Sequence, residues 1–152
     1  MLIEMTIKGL MLDPITNMPI VILKDKEGER VLPIWVGIFE ANAIALQIEN
    51  IATPRPMTHD LFTEILGQLE ARVVRIAVTE LRENTFYALI TVAVDGTELE
   101  IDSRPSDAIA LAVRAGAPIF AAEAVIEESA IEFDHENVPS TAFSGRKPSQ
   151  TR

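Results

Sequence analysis

The feature that most constrains the fold of this chain is a short motif that occurs twice. Residues 107–111 (DAIAL) repeat residues 42–46 (NAIAL) at an interval of 65 residues. Each copy follows a strand-like run, Val31 to Val36 in the first case and Glu98 to Asp102 in the second, and a predicted strand hairpin precedes each run. Internal similarity of this kind is typical of a duplicated structural unit. We therefore predict an α+β fold, a mixed sheet domain built from two related ββ-β-α repeats with helices packed on the sheet.

Length and composition limit the class of protein. The chain has 152 residues and no cysteine, so we expect one domain with its own core and neither disulfides nor thiolate metal sites. The first residues alternate apolar and polar side chains, unlike a signal peptide, and no apolar run approaches the roughly 20 residues of a membrane span. We predict a cytoplasmic protein that does not enter a membrane. Residues 1–131 form the predicted domain, and residues 132–152, where periodicity is lost, a flexible C-terminal tail.

Two predicted helices carry much apolar surface. The helix from Phe39 to Asn50 is apolar almost all round, which indicates burial on more than one face, by the sheet or by another subunit. The helix from Thr58 to Leu69 has a conventional apolar stripe. We predict a homo-oligomer, most simply a symmetric dimer. The stripe of the second helix consists of Leu61, Phe62, Ile65, Leu66 and Leu69.

The charge balance argues against tight binding of nucleic acid. The chain has 13 basic and 23 acidic residues, a net charge of −10. Binding of phosphate groups draws most of its affinity from Lys and Arg. A local site can still differ from the whole, because a divalent cation held by carboxylates reverses the local charge. The composition therefore disfavours strong non-specific binding without excluding catalysis on nucleic acid.

The first candidate site is the strand-to-helix turn of the second repeat. Asp102 ends the strand and Asp107 lies in the first turn of the helix, so the two carboxylates could hold a hard cation such as Mg²⁺. Arg104 and the helix N-terminus could bind a phosphate, with Ser106 beside them. The alternative is structural, since an Asp at the third helical position more often serves only as a cap. Glu40, which opens the first-repeat helix, has the same alternative.

The second candidate site is the start of the helix at Thr58. An Arg-Pro pair, Arg55 and Pro56, precedes this helix, as Arg104 and Pro105 precede the other. At 100° per residue, His59 falls at the edge of the apolar stripe and Asp60 on the solvent side. A boundary histidine is usually structural, but an imidazole titrates near neutral pH and could act as a general base.

Several motifs together resemble the bifunctional nuclease family. They cover residues 1–131 in the family's order and spacing. The motifs are Leu32-Pro33-Ile34-Trp35-Val36-Gly37, Glu40-Ala41 with Ala43 to Leu46, Arg55-Pro56-Met57-Thr58-His59-Asp60-Leu61, Thr85-Phe86-Tyr87-Ala88, Arg104 to Ala112 and Ala117-Pro118-Ile119-Phe120.

The resemblance implies nuclease activity on DNA and RNA, and it maps the family's polar motif residues onto the two candidate sites. Our hypothesis is a metal-assisted phosphodiesterase in which both Arg-Pro turns face one cleft. The alternative is a non-enzymatic oligomeric module that binds a partner protein or an anionic ligand. The hypothesis assigns His59, Asp60 and Arg104 to catalysis, Arg55, Thr58 and Ser106 to substrate binding, and Asp102, Asp107 and Glu40 to a divalent metal, Mg²⁺ or Mn²⁺.

Overall fold

The structure is a computed structural model, and it describes residues 1–135. Two ββ-β-α units follow one another along the chain, separated by one helix and followed by a short strand and a last helix. This order confirms the predicted α+β fold. The elements are β1 (Leu2–Leu12), β2 (Pro19–Asp25), β3 (Val31–Trp35), α1 (Ile38–Ile48), α2 (Thr58–Gln68), β4 (Arg72–Arg82), β5 (Thr85–Val94), β6 (Thr97–Ser103), α3 (Pro105–Ala115), β7 (Ile119–Ala122) and α4 (Glu123–His135).

One mixed sheet of seven strands contains both repeats, in the order β3-β2-β1-β7-β4-β5-β6. The short strand β7 joins the two halves, since it pairs antiparallel with β1 and parallel with β4. The third strand of each repeat is therefore an edge strand. Pro33 lies in β3, and an edge accommodates it because proline has no backbone N–H to donate to a further strand.

Turn residues bound the elements of the second repeat. Asp95 and Gly96 both have positive φ, 52° and 75°, as a tight hairpin between β5 and β6 requires. Pro105 is the first residue of α3, where its missing N–H has no helical partner in any case. Gly116 ends the helix in the left-handed conformation with φ of 68°.

Helix α3 is the most buried helix among the described residues, and it packs against α1, α2, β4 and β5. Its alanines let the backbone approach the neighbouring elements closely, while Ile109 and Leu111 fill the core. The first turn of α3 is thus held in one place by the core behind it. Its buried residues are Pro105, Ser106, Ala108, Ile109, Ala110, Leu111 and Ala112.

Within this chain, helix α1 is buried on one face only. Ala41, Ala43 and Ile44 are buried, but Phe39 is 83% exposed. Within one chain the sheet and α3 cover only one side of the helix. Burial of the other side would need a second subunit.

Helix α2 has no buried residue. Its apolar stripe packs only partly on the chain, since Leu61, Phe62 and Ile65 are each about half exposed. Leu66 is the stripe residue that contacts the core. The helix is held mainly by polar contacts at its first turn.

Two further observations concern the membrane prediction and the predicted boundary between the domain and the C-terminal tail. Within residues 1–135, no helix is both long enough and apolar enough to cross a membrane. Helix α4 runs past Ile131 to His135, because Glu132 to His135 contain neither proline nor glycine to stop it. The remainder of the predicted tail, residues 136–152, lies outside the described residues.

Candidate functional site

A cleft of about 670 Å³ lies where the first turns of α1, α2 and α3 meet the end of β6. We call it the central cleft. Its lining combines polar and charged side chains from the starts of the three helices with exposed apolar side chains. The lining includes Phe39, Glu40, Thr58, His59, Phe62, Asp102, Arg104 and Asp107.

A histidine and a carboxylate from different helices meet in this cleft. Nε2 of His59, the second residue of α2, lies 2.9 Å from Oδ1 of Asp107, the third residue of α3. The His59 side chain is 13% exposed and that of Asp107 is 31% exposed, so the pair is accessible without being fully hydrated. A carboxylate that fixes one imidazole nitrogen sets the orientation of the ring and leaves the other nitrogen for a ligand.

Arg104 connects two of the three carboxylates that line the cleft, those of Glu40 and Asp107. Its Nε donates to Oδ2 of Asp107 at 2.9 Å, and its Nη2 donates to Oε2 of Glu40 at 3.1 Å. Bonding to Asp107, and secondarily to Glu40, raises the pKa of Arg104 above its ordinary value. The Arg104 side chain is still 64% exposed. It therefore presents a permanent positive charge at the mouth of an otherwise acidic cleft.

The two carboxylates occupy the same position in the two repeats, because Glu40 is the third residue of α1 as Asp107 is of α3. Gly37, which precedes α1, makes this arrangement possible. A Cβ at residue 37 would collide with Oε1 of Glu40. The carboxylate of Glu40 thus packs against the backbone of Gly37, which has no side chain, and from there it bonds Arg104.

In the observed arrangement these carboxylates are not gathered into one group of metal ligands, and the metal site stays a prediction of the sequence. Within the described part of the chain, no group of three or more His, Cys, Asp or Glu side chains is placed to hold a metal ion. Glu40 and Asp107 instead bond to Arg104, and Asp102 lines the cleft as an exposed residue. A divalent cation bound by Glu40 and Asp107 would have to take the place of the guanidinium.

Asp60 faces away from the central cleft and is not simply on the solvent side as the helical projection predicts. Its Oδ2 accepts the N–H of Met57 at 2.9 Å, and its Oδ1 accepts from Nε of Arg114 at 2.6 Å. The Met57 N–H, and after it the Arg114 guanidinium, holds the pKa of Asp60 below its ordinary value. The helical projection of α2 could not predict this contact, because it contains no information about α3, on which Arg114 lies.

Arg114 is the important residue that the sequence reasoning missed. Its side chain is 5% exposed, and besides Asp60 it donates to the carbonyl oxygens of Ala43 and Ala110, at 3.0 Å each. From its position on α3, it therefore bonds both α2 and α1 and stabilises the packing of the three helices. A basic residue in the last turn of a helix was the available signal, but that position alone indicates only a favourable dipole interaction.

The remaining predicted residues divide between three cavities. Thr58 lines the central cleft beside His59. Arg55 lines a cavity of about 340 Å³ together with Asp60 and Arg114. Ser106 lines a third cavity, of about 540 Å³, next to Trp35. The two Arg-Pro segments are thus joined through His59 and Asp107, but Arg55 itself does not reach the central cleft.

Comparison with known proteins points to one family. A family model for the bifunctional nuclease domain matches residues 21–134. An uncharacterized protein of Mycobacterium tuberculosis is 35% identical over 128 residues, which make up 84% of this chain and 76% of the mycobacterial protein. Bifunctional nuclease 1 of Oryza sativa subsp. japonica is 30% identical over 103 residues, 65% of this chain and 31% of the rice protein. Bifunctional nuclease 2 of the same plant is 30% identical over 105 residues, 66% of this chain and 32% of its own length.

Proposed function

Because this chain belongs to the bifunctional nuclease domain family, we propose that it hydrolyses phosphodiester bonds of DNA and RNA in the central cleft. The observation that carries the proposal is the contact between His59 and Asp107 beside the exposed guanidinium of Arg104. The three side chains combine a candidate general base, a group that orients it, and a cation suited to a phosphate.

The proposed base is Nδ1 of His59. An ionised carboxylate can only accept hydrogen bonds, so the contact with Asp107 places the proton of the neutral ring on Nε2. Among the described residues Nδ1 has no hydrogen-bond partner. It is therefore the nitrogen available to take a proton from water, while Asp107 stabilises the imidazolium that forms.

Arg104 is the proposed phosphate ligand. Its exposed guanidinium can exchange a carboxylate partner for a non-bridging oxygen of the phosphodiester, and it neutralises the charge that develops on those oxygens. The oxygen of the attacking water forms a new bond to phosphorus and gives its proton to His59. The bond from phosphorus to the leaving sugar oxygen breaks. That oxygen takes up a proton from solvent, and His59 returns its proton to solvent.

A divalent cation, Mg²⁺ or Mn²⁺, remains a separate proposal that comes from the sequence. The ion pairs of Arg104 with Glu40 and Asp107 do not favour it in the observed arrangement, so the steps above do not depend on it. A cytoplasmic location likewise stays a prediction of the sequence. The net charge of −10 leads us to expect weak, salt-sensitive binding of nucleic acid.

We also propose that the chain forms a homodimer through the face that carries α2. Phe39, Phe62 and Ile101 are all exposed and line the central cleft, and Phe62 also belongs to the α2 stripe. A contiguous apolar surface of this kind is typical of protein interfaces. The same surface favours the second candidate function, a non-enzymatic module that binds a partner or an anionic ligand.

Cleavage of plasmid DNA and of structured RNA by the purified protein tests the nuclease proposal. The reactions contain Mg²⁺, Mn²⁺ or EDTA and compare wild type with His59→Gln and Arg104→Ala. Arg72→Ala is the matched control, because Arg72 is also exposed but does not line the cleft. We expect cleavage by wild type and by the control, and its loss in both cleft variants.

Other outcomes have definite meanings. Equal cleavage by all four proteins would indicate a contaminating nuclease. Cleavage that survives EDTA would reject the metal, and cleavage that EDTA abolishes would support it. No cleavage under any condition would replace the nuclease by the ligand-binding module.

A further inference from the structure

The cavity next to Trp35, which we call the Trp35 cavity, has no role in the cleavage steps above. It has a volume of about 540 Å³, within the range of small-molecule sites. The β1–β2 loop, the end of β3, the β4–β5 hairpin and the start of α3 surround it. Its lining includes Trp35, Gly37, Asn84, Phe86, Arg104 and Ser106.

Trp35 is held in a fixed orientation in this cavity. Its Nε1 donates to Oδ2 of Asp13 at 3.0 Å, and Asp13 is fully buried and also accepts the N–H of Ile15 at 2.9 Å. Trp35 packs against buried Ile20 and Ile22, yet its side chain also lines the cavity. A ring that is already ordered loses little entropy when a flat ligand stacks on it.

Phe86 gives the cavity a second aromatic ring. It lies near the start of β5, is half-buried, and packs at the edge of the core. Aromatic side chains bind nucleobases by stacking, largely independently of which base is present. A cavity lined by Trp35 and Phe86 is thus suited to a planar aromatic group.

The lining of the cavity also contains polar groups. Ser106 is 5% exposed, and its hydroxyl has no hydrogen-bond partner among the described residues. It is the second residue of α3, whose N-terminus has no side-chain cap and is preceded by Arg104. A buried hydroxyl, free N–H groups at the start of a long helix and a guanidinium together match an anionic oxygen-rich group such as phosphate.

We infer that the Trp35 cavity binds the base and sugar of a nucleotide whose phosphate lies at Arg104 and the first turn of α3. The inference rests on the proposed nuclease function and extends it, because Arg104 lines both the Trp35 cavity and the central cleft. A single strand would pass over Arg104, with the bond to be cleaved in the central cleft and the neighbouring base in the cavity. The substrate class is single-stranded or locally unpaired nucleic acid, since a paired base cannot enter.

The chain provides its own reporter for this site, because Trp35 is its only tryptophan. Quenching of tryptophan fluorescence is measured in EDTA with a short single-stranded oligothymidylate and with an abasic oligonucleotide of the same length. The variants are Phe86→Ala, Phe86→Leu, which keeps an apolar side chain without a ring, and Ser106→Ala. Tyr87→Leu is the control, because Tyr87 stacks on Arg82 at 4.2 Å and does not line the cavity.

We expect quenching by oligothymidylate and not by the abasic strand. Phe86→Leu and Phe86→Ala should each weaken the apparent affinity about tenfold, the effect of one lost stacking contact. Ser106→Ala should weaken it severalfold, and Tyr87→Leu should leave it unchanged. Equal quenching by both strands, or affinities that none of the three cavity variants lowers, would overturn the inference.

The same titrations separate this inference from the nuclease proposal. Base-dependent quenching in a protein that cleaves nothing would support the base site and reject the nuclease. Cleavage that depends on His59, without any base-dependent quenching, would reject the base site and keep the nuclease. Phe86→Leu should raise the KM for single-stranded substrate about tenfold while leaving kcat nearly constant.

Discussion

His59 and Asp107 are 48 positions apart, and the 2.9 Å contact between them joins the helix that connects the repeats to the first turn of the second repeat's helix. Each residue on its own has an ordinary structural explanation, a boundary histidine or a helix cap. The contact between them favours a functional role over these structural explanations. Asp107 also bonds Arg104, so it links the imidazole to a guanidinium. The candidate site is therefore a property of the packing between α2 and α3.

Replacing Asp107 by Asn should remove most of the activity. The amide can donate to Nε2 as well as accept from it, so the ring of His59 loses its fixed tautomer. We expect kcat to fall by about 10²- to 10⁴-fold, the usual contribution of general acid–base catalysis. Single-turnover cleavage of a labelled single strand, with circular dichroism to check the fold, measures this.

Asp102→Asn is the control for that variant. Asp102 is exposed and lines the same cleft, but its carboxylate has no hydrogen-bond or ion-pair partner among the described residues. A mechanism that uses the imidazole predicts little change in kcat, whereas a metal held by Asp102 and Asp107 predicts an equal loss. Equal losses in the two variants would therefore contradict our assignment and favour the metal.

Gly37→Ala should change the cleft without harming the fold. Gly37 has φ of −71°, which alanine tolerates, but its Cβ would displace the Glu40 carboxylate from Arg104. Arg104 would then bind phosphate with one competitor fewer, and we expect KM to fall about threefold, as for the loss of one exposed ion pair. Steady-state kinetics measure this, and Glu40→Gln should act in the same direction. A rise in KM would mean that Glu40 holds Arg104 in its binding position.

The repeated ββ-β-α fold could be predicted from the sequence because the residues that indicate its strand edges, turns and helix ends act locally. Pro33 is typical of an edge strand or a bulge, Asp95 with Gly96 of a tight turn, and Gly116 of a helix end, and the structure has an edge, a turn and a helix end at these positions. Backbone geometry at these residues depends on the residues themselves and on their immediate neighbours.

The site could be predicted only in part, because it depends on contacts between distant elements. Six of the nine proposed site residues line the central cleft, and most of these six lie at the start of a helix, a position that can be recognised in the sequence. The pairing of Asp60 with Arg114 spans 54 positions, and no periodicity within α2 indicates a partner on α3. Strand β7 lies between the repeats, with β1 on one side and β4 on the other. This position likewise depends on pairing between strands that are distant in the sequence.

Ile65→Glu should dissociate the proposed dimer. Ile65 is 49% exposed in the middle of the α2 stripe, and a buried unpaired carboxylate there would oppose association strongly. Light scattering after size-exclusion chromatography should give the mass of a dimer for wild type and of a monomer for the variant. Ile15→Glu is the control, since Ile15 is 70% exposed but lies in the β1–β2 loop. A wild-type monomer would reject the dimer.

The pair formed by Asp60 and Arg114 should make the stability of the fold depend on pH. Bonds from Met57 and Arg114 lower the pKa of Asp60 in the folded state, whereas an unfolded Asp titrates at about 3.9. Between these two values the unfolded chain binds more protons, so the free energy of unfolding rises with pH. The stabilisation is therefore fully present above the unfolded value, and it is lost as the pH falls through the folded one.

Asp60→Asn removes this contribution. Urea unfolding from about pH 7 to about pH 3 should show a variant that is less stable at neutral pH, and whose deficit relative to wild type shrinks on acidification. Glu64→Gln on the same helix is the control, because Glu64 is exposed and bonds only Gln68 among the described residues. A deficit that stays constant over the whole range would contradict the assignment. It would mean that Asp60 stabilises α2 by geometry alone, as a neutral acceptor for the N–H of Met57.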